Sequence, residues 1–301
     1  MNNVVFVSAL FAIFLGTVFP LLSQAVVGVQ VSVGAPYFNS VMAPLFLLLV
    51  FLMGVGPLIA WRRASWDNLK RNFTWPTAAS LAVAVGLFAG GIRSFFLLLG
   101  FTLCAFAVWT MVFDTFLSLR ARRRQAGEGP LRGLGTLIQR NQRRYGGFVV
   151  HLGVVLIVLG IAGSMAYSIE REATLNVGET LTAGSYRVAF EGLRGSQQPT
   201  HYRMEGTFQV SQNGHALGRL SPTLKFFPAQ DSPIGRAVFR STLKEDLYLI
   251  LSGFSDVGRN QATLKVLIRP LVLWIWLGGF VITLGTLMTI LPLGRAARTE
   301  A

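Results

Sequence analysis

The chain has 301 residues, 52% hydrophobic and only 13% charged, set out in long apolar runs, and such a composition belongs to an integral membrane protein. Its net charge of +14 would suit nucleic acid, but fourteen of the 27 Lys/Arg fall in Arg62–Arg71, Arg120–Arg144 and the tail at Arg295 and Arg298. These short segments flank apolar runs, where cations mark the cytoplasmic side, so the charge points to a lipid surface or a carboxylate-bearing ligand and not to nucleic acid. Cys104 is the single cysteine, which excludes a disulfide framework, a paired-thiol zinc site and a C-x-x-C-H attachment signature.

About twenty apolar residues cross the hydrocarbon of a bilayer. Six stretches qualify: Val4–Val27, Val41–Trp61, Trp75–Gly91, Ser94–Leu117, Gly147–Tyr167 and Pro270–Pro292. The first is too long for the core of a signal peptide and reads as a retained span. Between the first two lies a charge-free loop, Gly28–Ser40. Pro57, after Gly54 and Gly56, marks a helix end or kink. The third and fourth spans meet through Gly90-Gly91-Ile92-Arg93, a tight hairpin whose arginine can snorkel outward. The three basic segments alternate with this hairpin, the charge-free loop and a long loop, Ser168–Arg269. That alternation predicts both termini in the cytoplasm and the long loop on the far side.

The long loop has the period of β-structure. In "YRMEGTFQV" (Tyr202–Val210), Tyr202, Met204, Phe208 and Val210 share one face, while Arg203, Glu205, Thr207 and Gln209 share the other. Asn213-Gly214 follows as a two-residue hairpin signal. "SYRVAFEGL", "DLYLILSG" and "ATLKVLIRP" repeat the alternation, which predicts a small antiparallel sandwich or barrel with no evident catalytic cluster. The expected fold class is therefore an α-helical polytopic membrane protein of about six transmembrane helices with one antiparallel β-rich extracytoplasmic domain. Its parts are residues 1–167 (helices and basic loops), 168–269 (the β domain) and 270–301 (the last helix and a short tail).

His151 lies inside the fifth span, in "QRNQRRYGGFVVHLGVVLIVLGIAGSMAY" (Gln139–Tyr167). At about 100° per residue it shares a face with Gly147, Val154, Val155, Val158 and Ala162. Gly146, Gly153 and Gly160, spaced by seven, lie on the opposite side and admit a neighbouring helix closely. His151 stands roughly 10 Å beyond Arg144 along the helix. An imidazole among aliphatic groups, with cations two turns below, suits a haem iron whose propionates reach Arg143 and Arg144. An interhelical hydrogen bond or a proton path would use the same residue. Arg143 and Arg144 also serve as topology determinants, and Asp114, near the cytoplasmic end of the fourth span, can snorkel, pair with an arginine or relay protons. Trp274 and Trp276 form an interfacial belt or the wall of a haem pocket. His201 and His215 read as solvated residues of the β domain, and Cys104 as a buried apolar residue.

The run "RRYGGFVVHLGVVLIVLGIAGS" resembles a helix of the CcmF family, the haem lyases of the multi-component cytochrome c maturation system. "VSVGAPYFN" (Val31–Asn39), "MGVGPLIAWRR" (Met53–Arg63), "DLYLILSG" (Asp246–Gly253) and "IRPLVLWIWLGG" (Ile268–Gly279) resemble further signatures of that family in the same order. The resemblance spans essentially the whole chain but only the C-terminal half of the family. The family's tryptophan-rich motif, its flanking external histidines and its first membrane haem ligand lie upstream of the matched region. In the β domain, "SPTLKFFP" (Ser221–Pro228) and "PTHYRM", with His201 where the family carries an asparagine, depart from the pattern.

The resemblance implies a component of a cytochrome c haem lyase in a bacterial inner membrane, with the β domain in the periplasm. It implies His151 as one axial ligand of a membrane haem b. It also implies partners: an N-terminal CcmF portion or subunit with the tryptophan-rich motif and the second axial histidine, a haem chaperone of the CcmE type, and apocytochrome c with its thiol-reducing factors. Without the N-terminal half the chain is expected to be inactive. The competing expectation is a polytopic scaffold or transporter whose β domain docks a partner and whose histidine only bonds another helix.

Overall fold

The computed structural model describes residues 1–58, 66–127, 129–228, 232–255 and 260–291, with side chains described throughout except at 66–69 and 71. Arg62, Arg63, Arg295 and Arg298 lie outside the described residues, as do the predicted span ends at Trp61 and Pro292. Among the described residues, seven α-helices and ten strands follow in order. The helices are α1 (Asn2–Val27), α2 (Ala35–Val55) with a 3-10 turn Gly56–Leu58, α3 (Trp66–Ala89), α4 (Phe95–Ala126), α5 (Pro130–Arg140) and α6 (Gln142–Ala166), with α7 (Val272–Ile290) after the strands. Six of the helices, all but α5, are long and apolar enough to cross a membrane. The protein is a polytopic membrane protein carrying a β-sandwich. Its two compact units are Met1–Val158 with Gly278–Ala301, and Leu159–Leu277.

The helices depart from the sequence expectation at their ends. Helix α2 starts at Ala35, inside the expected loop, because Pro36 is acceptable in a first turn, where no amide partner is needed. Pro57 falls in the 3-10 turn, at the helix end as predicted. Helix α4 runs through the basic segment to Ala126 and stops at Gly127, whose φ of 62° is left-handed. Arg93 is exposed at this hairpin. Its guanidinium bends back to the Phe88 carbonyl and lies 4.0 Å above the Phe88 ring.

Within the first unit, several helix contacts form where a side chain is missing. A Cβ at Gly54 on α2 would sit 2.6 Å from the Phe106 ring on α4. The closest approach joins α6 to α7: a Cβ at Gly153 would lie 2.7 Å from the Gly278 carbonyl oxygen, and one at Gly278 would lie 2.6 Å from the Gly153 oxygen. One turn-pair away, a Cβ at Gly285 would lie 2.7 Å from the Val150 nitrogen. The expected glycine stripe thus meets a second one, Gly278 and Gly285, also spaced by seven. Gln142 closes the end of the contact by donating to the Met288 carbonyl at 2.5 Å and to the Leu291 carbonyl.

In the second unit the strands are β1 (Ile169–Asn176), β2 (Thr180–Ala183), β3 (Tyr186–Gln197), β4 (Tyr202–Gln212) and β5 (His215–Leu220), then β6 (Thr223–Phe226), β7 (Ile234–Arg236), β8 (Val238–Ser241), β9 (Glu245–Phe254) and β10 (Gln261–Pro270). One sheet runs β1-β10-β9-β8; the other runs β2-β3-β4-β6-β7, with β5 beside β4. The alternation in β4 is realised: Met204, Phe208 and Val210 are fully buried against Leu247, Leu249, Leu251, Leu264 and Val266 of the facing sheet. Asn213 and Gly214 have φ of 49° and 86°, the two positive values a type I′ hairpin needs between β4 and β5.

The passage from β10 into α7 takes one residue. Leu271 has a φ of 59°, uncommon for a bulky side chain. Its amide donates to the Lys244 carbonyl at 3.0 Å, and the Trp274 indole donates to the Leu243 carbonyl at 3.0 Å. The turn supplying both carbonyls is closed by Thr242, whose hydroxyl donates to the Glu245 carbonyl at 2.7 Å. A Cβ at Gly163 would lie 2.6 Å from Leu271 Cδ1.

Two outcomes follow for stability. Gly153→Val, which must push against the α7 backbone, is expected to cost about 1–3 kcal/mol. Gly147→Ala, where a Cβ would have nothing within 4 Å, should be near neutral; thermal unfolding of the purified variants compares them. Phe208→Ala should cost about 3–5 kcal/mol in denaturant unfolding, and Thr207→Ala on the opposite face under about 0.5 kcal/mol.

Candidate functional site

Because the glycine stripe commits one side of α6 to α7, His151 is held on the other side. The ring is half-buried. Its Nδ1 is sealed from solvent without a hydrogen-bond partner, and Nε2 is not among the sealed atoms. Among the described residues neither ring nitrogen makes a hydrogen bond. A sealed polar atom left unpaired costs roughly 1–3 kcal/mol, so such a group calls for a reason. On the same face Val155 is buried at 3% exposure, and the position of Gly147 is open.

Seven residues before His151, and so on the same face, Arg144 pairs with Asp114 of α4. The Asp114 carboxylate is the more buried partner, at 16% exposure against 45% for Arg144. Of the roles open to Asp114, pairing with an arginine is thus present, and the cation at this level is partly neutralised. The Arg144 guanidinium also lies 5.8 Å from the centre of the Phe148 ring. Arg143 is exposed and has no ion pair or hydrogen bond among the described residues. Being one residue off, it lies on a different side of the helix from Arg144.

Tyr145 is a residue of interest that sequence reasoning missed. It is 6% exposed, stacks edge-on against Phe148 at 5.7 Å, and its hydroxyl is sealed and unpartnered. In the sequence it looks like an interfacial aromatic following two arginines, so no periodicity signals its burial. Asp246 in the β domain was passed over for a similar reason. It opens an apolar strand, is 3% exposed, and has one unpartnered oxygen while the other accepts from the Tyr248 hydroxyl at 3.2 Å. Burial and the neighbouring Asp246 carboxylate raise the Tyr248 phenol above its ordinary range.

The remaining predicted residues lie elsewhere. Trp274 is engaged with the Leu243 carbonyl, whereas Trp276 is 74% exposed. His201 stacks on Phe227 at 4.9 Å and shares a 3.0 Å hydrogen bond with Thr200, while His215 is exposed at the start of β5. Cys104 is buried at 2% exposure. Among the described residues no three His, Cys, Asp or Glu side chains come together to hold a metal ion. An imidazole in an apolar span, with neither nitrogen hydrogen-bonded among the described residues, has the chemistry of a single ligand to iron. The residues present fit one half of a haem clamp.

Residues 166–270 match the family model described as the CcmF C-terminal beta-sandwich. The chain is 33% identical over 293 residues to the cytochrome c-type biogenesis protein CcmF of Pseudomonas fluorescens, covering 96% of this chain and 42% of that protein. It is 28% identical over 312 residues to the cytochrome c-type biogenesis protein CycK of Rhizobium meliloti, covering 99% of this chain and 44% of that one. A solved structure of the cytochrome c heme lyase CcmF superposes with a TM-score of 0.74 at 26% identity, over 97% of this chain and 45% of that chain. The chain thus spans less than half the length of these relatives. It is similar to part of these CcmF relatives in sequence over nearly all its residues and in fold, and the matched sandwich is the C-terminal one of the family model.

Proposed function

We propose that this chain is a component of a cytochrome c haem lyase and that His151 is one axial ligand of a membrane haem b. The observation that carries this reading is the His151 ring itself, half-buried on an otherwise apolar span and without a hydrogen bond among the described residues. If the histidine served only to bond another helix of this chain, that bond would be expected in the folded bundle. A haem b, when bound, supplies one-electron transfer.

The chain's own residues then have the following work. His151 would offer a ring nitrogen, with Val155 and the other aliphatic residues of its face beside the group it holds. Arg143, and Arg144 in competition with Asp114, provide the positive charge that holds propionate carboxylates. The other two histidines, His201 and His215, belong to the β domain, so the second axial ligand comes from an N-terminal CcmF portion or subunit. The same partner brings the tryptophan-rich motif. The multi-pass helices sit in a bacterial inner membrane with both termini cytoplasmic, and the β domain stands in the periplasm. There the lyase receives haem from a CcmE-type chaperone and joins it to apocytochrome c, each reduced thiol adding across one vinyl group.

His151→Ala in the complex purified with its N-terminal partner is expected to abolish the b-type pyridine haemochrome while leaving the polypeptides associated. An unchanged b-haem content would overturn the ligand assignment, and a wild-type complex without a Soret band would favour a scaffold. Arg143→Gln should leave the haem in place but increase its loss on dilution about tenfold, the scale of one charge-assisted contact, followed by the decay of the Soret band.

A further inference from the structure

Between α4 and α6 the sequence places eight arginines and not one lysine, from Arg120 to Arg144, against a single acid, Glu128. A segment that only fixed orientation would be served equally by lysine, since both cations count alike in loop charge. Arginine differs in its planar fork, which takes two oxygens of one phosphate at once. Arg120, Arg123, Arg124, Arg132, Arg140 and Arg143 are all exposed, and no ion pair or hydrogen bond engages them among the described residues.

Their level follows from the length of α4. Its 32 residues rise about 1.5 Å each, so from Phe95 the hydrocarbon, about 30 Å thick, ends near Thr115. Arg120–Arg124 then stand roughly 38–44 Å from that start, among headgroups. Helix α5 comes next and is joined to a membrane-spanning helix at each end, by residues 127–129 and by Asn141, so it stays at this level.

The helix α5 was not foreseen as an element. Its buried residues are Gly133 and Leu137, which seat it where it packs on α4. Its apolar arc is wider than that seat: Leu134, Ile138 and Leu131 follow one another around the helix, and Leu131 is 86% exposed. Arg132, Thr136, Gln139 and Arg140 fill the opposite arc. A basic helix with an uncovered apolar flank, at headgroup depth, is built to lie in the interface plane.

We propose that α5, with the arginines of the α4 end, forms a docking surface for anionic phospholipid. Leu131 and Ile138 enter the acyl boundary, and the arginines grip headgroup phosphates. This rests on the charge and exposure of the segment and is independent of the haem assignment.

The test places the purified full chain in nanodiscs of phosphatidylcholine alone or with phosphatidylglycerol and follows tryptic cleavage after Arg123, Arg132 and Arg140 by mass spectrometry. Cleavage is expected to slow about tenfold with the anionic lipid. Leu131→Glu should abolish this protection while circular dichroism shows unchanged helix content. Arg120→Lys/Arg123→Lys/Arg124→Lys, which keeps the charge and hence the orientation, should retain only part of the protection at Arg132 and Arg140. Equal cleavage in both discs, or full protection in Leu131→Glu, overturns the proposal. Equal protection by inorganic phosphate in the neutral disc also overturns it, because the surface would then be a simple anion site.

Discussion

The backbone contact between α6 and α7 decides what α6 can present. In a bilayer two helices gain nothing from leaving apolar solvent, so they associate by packing, and packing improves as the backbones approach. Gly153 and Gly278 each occupy the space a Cβ would need on the other helix, and Gly285 does the same against Val150. A larger side chain at any of these positions would have to rotate or lift α6. The rotation of α6 about its axis is thus fixed by residues with no chemistry of their own, and the imidazole on the opposite side inherits that fixed direction.

A second constraint acts on the same helix. Arg144 shares the His151 face and is tied to Asp114 on α4. Half-exposed ion pairs of this kind contribute little to stability in water. At the edge of the hydrocarbon an unmatched carboxylate is costly, so the pair is kept less for its strength than for the expense of separating it. The glycine contact and the ion pair hold α6 from two sides, which is what a ligand needs if one nitrogen is to be offered in a reproducible direction.

Much of this was legible in the residues, and the exceptions share a cause. Six spans, the glycine stripe and the alternating strands each arise from a repeat: about twenty apolar residues, a period of seven, a period of two. Gly278 and Gly285 carried the same period as the α6 stripe but sit in a run so uniformly apolar that no polar face marks them. Helix α5 has eleven residues, too few for a span, and its arginines drew the reading toward loop charge. The burial of Tyr145 and Asp246, and the pairing of Arg144 with Asp114, depend on which helices and strands become neighbours. No local pattern encodes that. His151 was conspicuous because an imidazole is rare in such surroundings, yet its lack of a partner is a property of the folded bundle alone.

Leu271 shows how the β domain governs the start of α7. A leucine in the left-handed region carries a penalty of about 1–2 kcal/mol, and glycine would avoid it. Glycine, however, would give up the side chain that fills the notch beside Gly163, and it would loosen a junction that must turn a strand into a membrane helix within one residue. The penalty is offset by bonds that exist only when the β8–β9 turn is formed: the Leu271 amide and the Trp274 indole both end on carbonyls of that turn. Glu245, which closes the turn, also accepts from Gln212 at 3.3 Å, on a strand of the other sheet. Burial pushes the nearby Tyr186 phenol up to about 12, with the Glu245 carboxylate adding to the shift, so this phenol stays a neutral hydrogen-bonding group across the physiological range. A strained leucine is therefore stable between β10 and α7 because the turn it bonds to is held by the sandwich.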